Sequence, residues 1–365
     1  MKLALVTNYP PDKRPLSEYG FHLAKGLSMS NPDGEILVVS GHHKGHSNGE
    51  LRAWEYGSPR IPFQVVKTLR QHSPDTVLIN THFTSWGGGL ANFAGLFTPL
   101  AVKMAGFKTI TLVHHLPQTI DAKRAGYKLT PLHHVAIDLA CRAIASSDTV
   151  CFLLERDLEY FKKAYSPRRV ELVQHGLLGN PAWCPPPSAP NVLTFGNWGR
   201  SKKPEPLLNI YQEGKAAGSL IVAGGGSHTR SGYMEGLRTK YDSVNISFTG
   251  YVPEDEVQHL FHWSQVVVFP YEENTGISGV LMQACQYGRI ALLKRLPVFE
   301  QMVDRMNLVA YFYDDDGELE YALNTLLNSP EILIEGGRHN YESVRNLTMD
   351  KVAESYWSFT KEGAI

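Results

Sequence analysis

Runs of β-branched and apolar residues that do not alternate with polar ones recur along almost the whole chain, each followed by an amphipathic stretch of helical length. A strand exposed on one face reads apolar, polar, apolar. A strand apolar throughout must be covered on both faces, which calls for a parallel sheet with helices above and below it. Residues 3–8 (LALVTN), 35–40 (EILVVS), 75–80 (DTVLIN), 108–113 (KTITLV), 148–153 (DTVCFL) and 169–174 (RVELVQ) read as such strands. Helical patterns lie near 18–29, 61–72, 88–105, 131–146 and 155–164.

The stretch 175–190 (HGLLGNPAWCPPPSAP) interrupts this rhythm, because its proline density forbids regular structure. The alternation then restarts with strands at 191–196, 219–224, 245–250, 265–270 and 289–294, separated by helices at 204–217, 230–240, 253–263, 277–287 and 297–305. Residues 316–361 read as helices only. The expectation is an α/β chain of two doubly wound, Rossmann-like domains whose parallel sheets face across a cleft. Their bounds are 1–175 for the first domain, 176–190 for the linker and 191–345 for the second. A C-terminal helix, 346–365, would pack back on the first domain. In such sheets ligands meet the carboxyl ends of the strands.

Composition narrows the partners. The 365 residues carry a formal net charge of −1, so nothing draws the whole chain to nucleic acid. Residues 1–170 hold 20 Lys and Arg against 13 Asp and Glu, and the remainder holds 15 against 23. A basic first half leaves room for peripheral contact with a membrane surface, and ordinary scatter of solvated charge accounts for it equally well. Cysteines 141, 151, 184 and 285 are scattered without metal spacing and read as reduced thiols. Met1 leads into an apolar run too short for a signal segment, the longest apolar stretches are broken by Gly and Pro, and the sequons at Asn245 and Asn346 read as chance. A cytoplasmic protein, in place at most at the inner membrane face, is the expectation.

Four polar stations fall at strand ends. The loop 7–20 (TNYPPDKRPLSEYG) brings Tyr9, Ser17 and Tyr19 to the end of the first strand, with Ser17 as the expected N-cap of the next helix. His114 and His115 directly follow the strand 108–113, and His82 stands in the same kind of position after 75–80; an imidazole there can hydrogen-bond a ligand. In 195–206 (FGNWGRSKKPEP), Asn197, Arg200, Lys202 and Lys203 crowd the start of a helix, where cations oppose the helix dipole unless an anion is present. In 270–289 (PYEENTGISGVLMQACQYGR), Thr275, Gly276, Ile277, Ser278, Gly279 and Val280 offer hydroxyl and backbone donors at a helix start. Each station also has a bland explanation, as a capped turn or a solvated face. Two anion-seeking stations in one domain favour a diphosphate. No G-x-G-x-x-G follows the first strand of either half, and AGGGSH (223–228) is only a weak dinucleotide signal, which disfavours a nicotinamide enzyme.

In this order the stations resemble the retaining GT-B glycosyltransferases of the large group-1, family-4-like class that includes sucrose-phosphate synthase-like and mannosyltransferase-like enzymes. The resemblance spans nearly the whole chain: VTNYPP, VHH, VQHGL, FGNWGRSKK, IVAGGG and, most specifically, Phe248 to Gly288. It implies transfer of a sugar from a UDP- or GDP-sugar to a glycan, lipid-linked or small-molecule acceptor, with retention and with no cofactor or metal required. It also implies that Arg200, Lys202 and Lys203 meet the diphosphate, with Asn197 beside them. Thr275 to Val280 and Gln283 would line the phosphates and sugar, and the base would lie near Tyr251 and Val252. His114 would face the transferred sugar, and Tyr9, Ser17, Tyr19 and His82 would border the acceptor.

The chain departs from the pattern where many members carry two glutamates eight positions apart: Thr275 and Gln283 stand there instead. The usual Gly-Arg reads Gly196-Asn197, and the first-domain Gly-Gly pair is replaced by RPLSEYG. A catalytically silent GT-B protein that binds a sugar nucleotide or supports a partner enzyme is the alternative these departures motivate, with an epimerase or phosphorylase further behind.

Overall fold

The structure is a computed structural model that describes every residue except 13, 15, 44–48, 127, 200, 227–231 and 362–365. The chain divides into two compact units. One comprises Met1–Ile120, Lys128–Leu178 and Leu347–Ile365, and the other Asp121–Tyr127 and Gly179–Asn346.

In the first unit the elements run β1 (Lys2–Val6), α1 (Ser17–Ser30), β2 (Glu35–Gly41), β3 (Leu51–Trp54), α2 (Ile61–His72), β4 (Thr76–Thr81), α3 (Gly89–Gly95), α4 (Thr98–Met104), β5 (Lys108–Val113), α5 (Pro131–Ala145), β6 (Thr149–Phe152), α6 (Glu155–Tyr165) and β7 (Val170–Leu172). Its seven strands are parallel, in the order β3-β2-β1-β4-β5-β6-β7. Leu3, Ala4, Leu5 and Val6 are all fully buried, as the absence of alternation requires of a strand covered on both faces. The order reverses between β1 and β4, so the carboxyl ends of β1, β4 and β5 meet at a switch point. Helix α1 lies close against it, for a Cβ on Gly20 would stand 2.5 Å from the Asn8 carbonyl and from Thr7 Oγ1. Only glycine permits that approach.

The second unit contains β8 (Asn191–Phe195), α7 (Glu205–Gln212), β9 (Ser219–Ala223), α8 (Tyr233–Tyr241), β10 (Ile246–Gly250), α9 (Glu254–Trp263), β11 (Val266–Phe269), α10 (Gly279–Gln286), β12 (Ile290–Lys294), α11 (Pro297–Arg305), β13 (Ala310–Tyr313), α12 (Asp316–Leu327) and α13 (Pro330–Val344). Its six parallel strands run β10-β9-β8-β11-β12-β13, reversing between β8 and β11. The proline-rich stretch from Gly179 packs on this unit through Arg289, which is fully buried. Its guanidinium donates to the carbonyls of Phe261, Gly288, His262 and Cys184 and to Cys184 Sγ, so a charge is buried without a carboxylate because every donor has an acceptor. Gln265 Nε2 adds a bond to the Pro187 carbonyl.

The last helix, α14 (Met349–Lys361), belongs to the first unit. Trp357 Nε1 donates to the Leu27 carbonyl on α1, and Lys108 Nζ to that of Thr360. Among the described residues no helix is long and apolar enough to cross a membrane.

The sequence pattern misses two strands, β3 and β13. Both lie at sheet edges, are four residues long and bury only their last side chain fully, so neither leaves an unbroken apolar run. The single helix expected over 88–105 is two, because Pro99 opens a new first turn in α4.

Of the three glycines that follow β9, Gly224 has φ +100°, and a Cβ there would stand 1.9 Å from the Gly196 carbonyl. Gly225 has open space at the same position. Gly224→Ala is therefore expected to cost about 3 kcal/mol or more in chemical denaturation, and Gly225→Ala less than about 1 kcal/mol. Equal costs would show that the close strand-end approach does not constrain this unit.

Candidate functional site

In the second unit, two loops leave the switch point side by side, from β8 to α7 and from β11 to α10. They are stitched together by backbone: Lys203 N–H donates to the Pro270 carbonyl at 3.1 Å, and Glu272 N–H to that of Ser201 at 2.8 Å. Trp198, fully buried, anchors the first loop by donating from Nε1 to the Ala223 carbonyl. Tyr271, 1% exposed, anchors the second by donating from its hydroxyl to the Phe195 carbonyl.

Lys202 crosses between the loops. Its ammonium lies 4.3 Å from the centre of the Tyr271 ring, and among the described residues it has no carboxylate partner. Removal from water alone lowers its pKa from 10.5 to about 8, since burial disfavours the cation and no anion restores it. A Cβ on Gly196 would reach 3.2 Å from Tyr271 Oη and 3.7 Å from Lys202 Nζ, so the bare glycine leaves the ammonium approachable from the strand end. Lys203 differs, being half-exposed and 3.7 Å from the Glu272 carboxylate. Asn197 is exposed, and Arg200 lies outside the described residues.

Helix α10 begins at Gly279, with Ser278 as its N-cap. Ser278 Oγ accepts from the Leu281 amide at 3.2 Å, and the Ser278 amide points to Met302 Sδ at 3.4 Å. That leaves the amides of Gly279 and Val280 in the first turn, where no intrahelical acceptor exists. Before it, Asn274 Nδ2 holds the Gly276 carbonyl at 2.7 Å and so shapes the Thr275–Ile277 turn. Thr275, Gly276 and Ile277 are half-buried, while Gln283 is buried on the helix. Tyr251, 55% exposed, and Val252, buried, follow β10, two strands from β8, or ~10 Å at the usual interstrand spacing. The structure thus brings the two second-domain stations to the ends of the neighbouring strands β8 and β11, with Tyr251 and Val252 two strands from β8. Sequence reasoning missed Trp198 and Tyr271, whose anchoring roles depend on the distant carbonyls of Ala223 and Phe195.

In the first unit, His114 is buried at the end of β5, and Tyr19 stands edge-on to it with ring centres 4.6 Å apart. His114 Nε2 is 2.7 Å from Asn80 Oδ1. Burial, with His175 and His82 nearby, holds its pKa well below the ordinary value, so the ring is neutral. His82 Nδ1 accepts from the Thr84 amide, its ring lies 4.1 Å from that of His115, and burial lowers its pKa to about 4. Tyr9 is buried against Phe21, with ring centres 5.9 Å apart.

Ser17 requires a correction. It is not the cap of α1; Leu16, in a left-handed conformation with φ 69°, occupies that position, and no side chain caps the helix. Ser17 is the first helical residue, and its buried hydroxyl has no protein partner. The loop before α1 is held instead by Asp12 and Arg14, paired at 2.8 Å, with the guanidinium 3.6 Å above the Tyr56 ring.

No family model matches the chain, and no curated protein matches it by sequence. Solved structures do resemble it. Sucrose-phosphate synthase from Thermosynechococcus elongatus superposes with a TM-score of 0.77 at 14% identity, covering 99% of this chain and 98% of that one. HepE from Anabaena, in complex with UDP and glucose, gives 0.74 at 13% identity over 100% of both chains. A glycosyltransferase from Rickettsia africae gives 0.69 at 11% identity over 99% of this chain and 98% of that one. Two parallel sheets of seven and six strands, flanked by helices and matched over their whole length by these structures, make the fold of this chain GT-B.

Proposed function

We propose that this chain is a glycosyltransferase that takes a sugar from a nucleoside-diphosphate donor, UDP- or GDP-linked, and passes it to a hydroxyl of a glycan, lipid-linked or small-molecule acceptor. The carrying observation is Lys202: an ammonium over Tyr271, without a carboxylate partner among the described residues, on the loop that leaves β8, while the loop from the neighbouring β11 leads to the first-turn amides of Gly279 and Val280. A diphosphate supplies the charge that this arrangement lacks. The likeness to HepE, whose structure holds UDP and glucose, supports the same reading.

In the proposed role, Lys202 and the α10 amides stabilise charge as the sugar–phosphate bond breaks, and Lys203 and Arg200 add to the field. Tyr251 and Val252 border the base, Asn197, Thr275 and Gln283 border the phosphates and sugar, and His114 serves the transferred sugar. Tyr9, Ser17, Tyr19 and His82 belong to the acceptor side. Transfer with retention needs no protein nucleophile. The acceptor oxygen bonds to the anomeric carbon on the face the diphosphate leaves, and its proton passes to the departing phosphate oxygen. That chemistry suits a site in which Thr275 and Gln283 replace a carboxylate pair.

Incubation with a panel of nucleotide sugars is expected to release free nucleoside diphosphate slowly, and an acceptor that couples should give product with the donor's anomeric configuration by NMR. Tight nucleotide binding with no release from any donor would instead establish the silent reading, which the neutral Thr275 and Gln283 favour.

Charge at Lys202 also has a stability consequence. Its folded pKa of about 8 lies below the ordinary 10.5, so the unfolded chain binds the proton more tightly between those values. The cost of burying the cation is therefore full below pH 8 and is relieved as pH rises toward 10.5. Lys202→Met, which keeps the contact with Tyr271, is expected to stabilise the ligand-free protein at pH 7 by on the order of 1–3 kcal/mol, with the gain shrinking toward pH 10.5. A destabilised variant at pH 7 would contradict an unpaired cation.

A further inference from the structure

The hydrogen bonds behind His114 run in one direction. Thr7 Oγ1 donates to the Asn8 carbonyl at 3.0 Å, so it must accept the bond from Asn80, which fixes Asn80 Nδ2 on Thr7 at 2.9 Å. Asn80 Oδ1 is thereby turned to His114 and, having no proton, can only accept. The hydrogen of the neutral ring therefore sits on Nε2. Asn8 is itself fixed, donating from Nδ2 to the Ser85 carbonyl at 3.0 Å and accepting at Oδ1 from the Tyr56 hydroxyl at 2.7 Å. Asn80 is 2% exposed and Thr7 1%, so water does not compete for these bonds. The ring's other nitrogen, Nδ1, has no protein partner among the described residues and is not among the sealed, unsatisfied atoms.

We propose that Asn80 is a positioning residue that locks His114 in the Nε2–H tautomer, leaving Nδ1 as a hydrogen-bond acceptor for a hydroxyl of the bound ligand. A ring free to exchange tautomers would meet the same ligand with a donor at Nδ1 for part of the time. Locked, it favours a hydroxyl-bearing group over one that offers only an acceptor. Thr7 acts one bond further back, by fixing which end of the Asn80 amide faces the ring. The link to a sugar hydroxyl rests on the glycosyltransferase reading; the tautomer itself does not.

Long-range 1H–15N correlation spectra of protein labelled with 15N-histidine, with His114 assigned through His114→Gln, report the tautomer directly. The wild-type protein is expected to show the Nε2–H pattern for His114. Asn80→Leu, which removes the acceptor facing Nε2, is expected to let the ring exchange between its two tautomers. A wild-type Nδ1–H ring, or an Asn80→Leu ring still fixed as Nε2–H, would overturn the proposal, and the wild-type spectrum decides it even if a variant does not fold. With an active donor, Asn80→Leu is expected to lower kcat/KM roughly tenfold while the affinity for UDP stays unchanged. Unchanged kcat/KM would also overturn it. Absence of turnover in the wild-type protein would remove the glycosyltransferase reading and leave the tautomer result standing.

Discussion

A lysine ammonium over an aromatic ring, with no carboxylate partner among the described residues, is the constraint around which the second unit's loops are arranged. Lys202 lies over a Tyr271 that is pinned to the Phe195 carbonyl, and a Cβ on Gly196 would stand 3.2 Å from the Tyr271 hydroxyl and in ordinary contact with the lysine. The two loops that carry them hold together through the Lys203–Pro270 and Glu272–Ser201 backbone bonds. The same unit fully buries another cation, Arg289, by a different device, giving its guanidinium protein acceptors. Arg289 is complete as it stands and holds the chain. Lys202 has no carboxylate partner among the described residues, and under the proposed function a donor's diphosphate would supply the missing charge.

The first unit solves a different problem. Thr7, Asn8, Asn80 and His114 at its strand ends are neutral, and their order comes from hydrogen bonds whose direction is forced link by link from Asn8 to His114. Tyr56 ties that chain to the loop before α1, since its hydroxyl holds Asn8 and its ring carries Arg14. An imidazole kept neutral by burial can orient and discriminate without adding charge. The division fits a reaction in which negative charge develops on one substrate group while a neutral one must be read.

Much of the fold is legible in the sequence because burial on both faces leaves unbroken runs such as LALV and VVVF. The strands that escape notice, β3 and β13, are edge strands, whose half-burial writes no such run. The glycine stretch before α10 was legible as a helix start, and Ser278 caps it. Ser17 misled for a physical reason: a Ser before a helical pattern is the commonest cap, yet here Leu16 takes the left-handed turn and Ser17 moves inside. Asn80, Thr7, Tyr56, Trp198 and Tyr271 could not be found from local pattern. Their roles arise from partners tens of residues away, as in the bond from Asn80 to Thr7 across 73 positions. Lys202 and Lys203 look equivalent in sequence, and only their surroundings separate the one over the Tyr271 ring from the one beside Glu272.

Titration calorimetry of UDP and GDP binding to the wild-type protein and to Lys202→Met at pH 7 tests most directly whether Lys202 is the anchor of a diphosphate. The wild-type protein should bind at least one of the two nucleotides, and the variant should bind it at least tenfold more weakly, as expected for loss of a charge-assisted contact. Equal affinity in a folded variant, or no binding of either nucleotide by the wild-type protein, would contradict it.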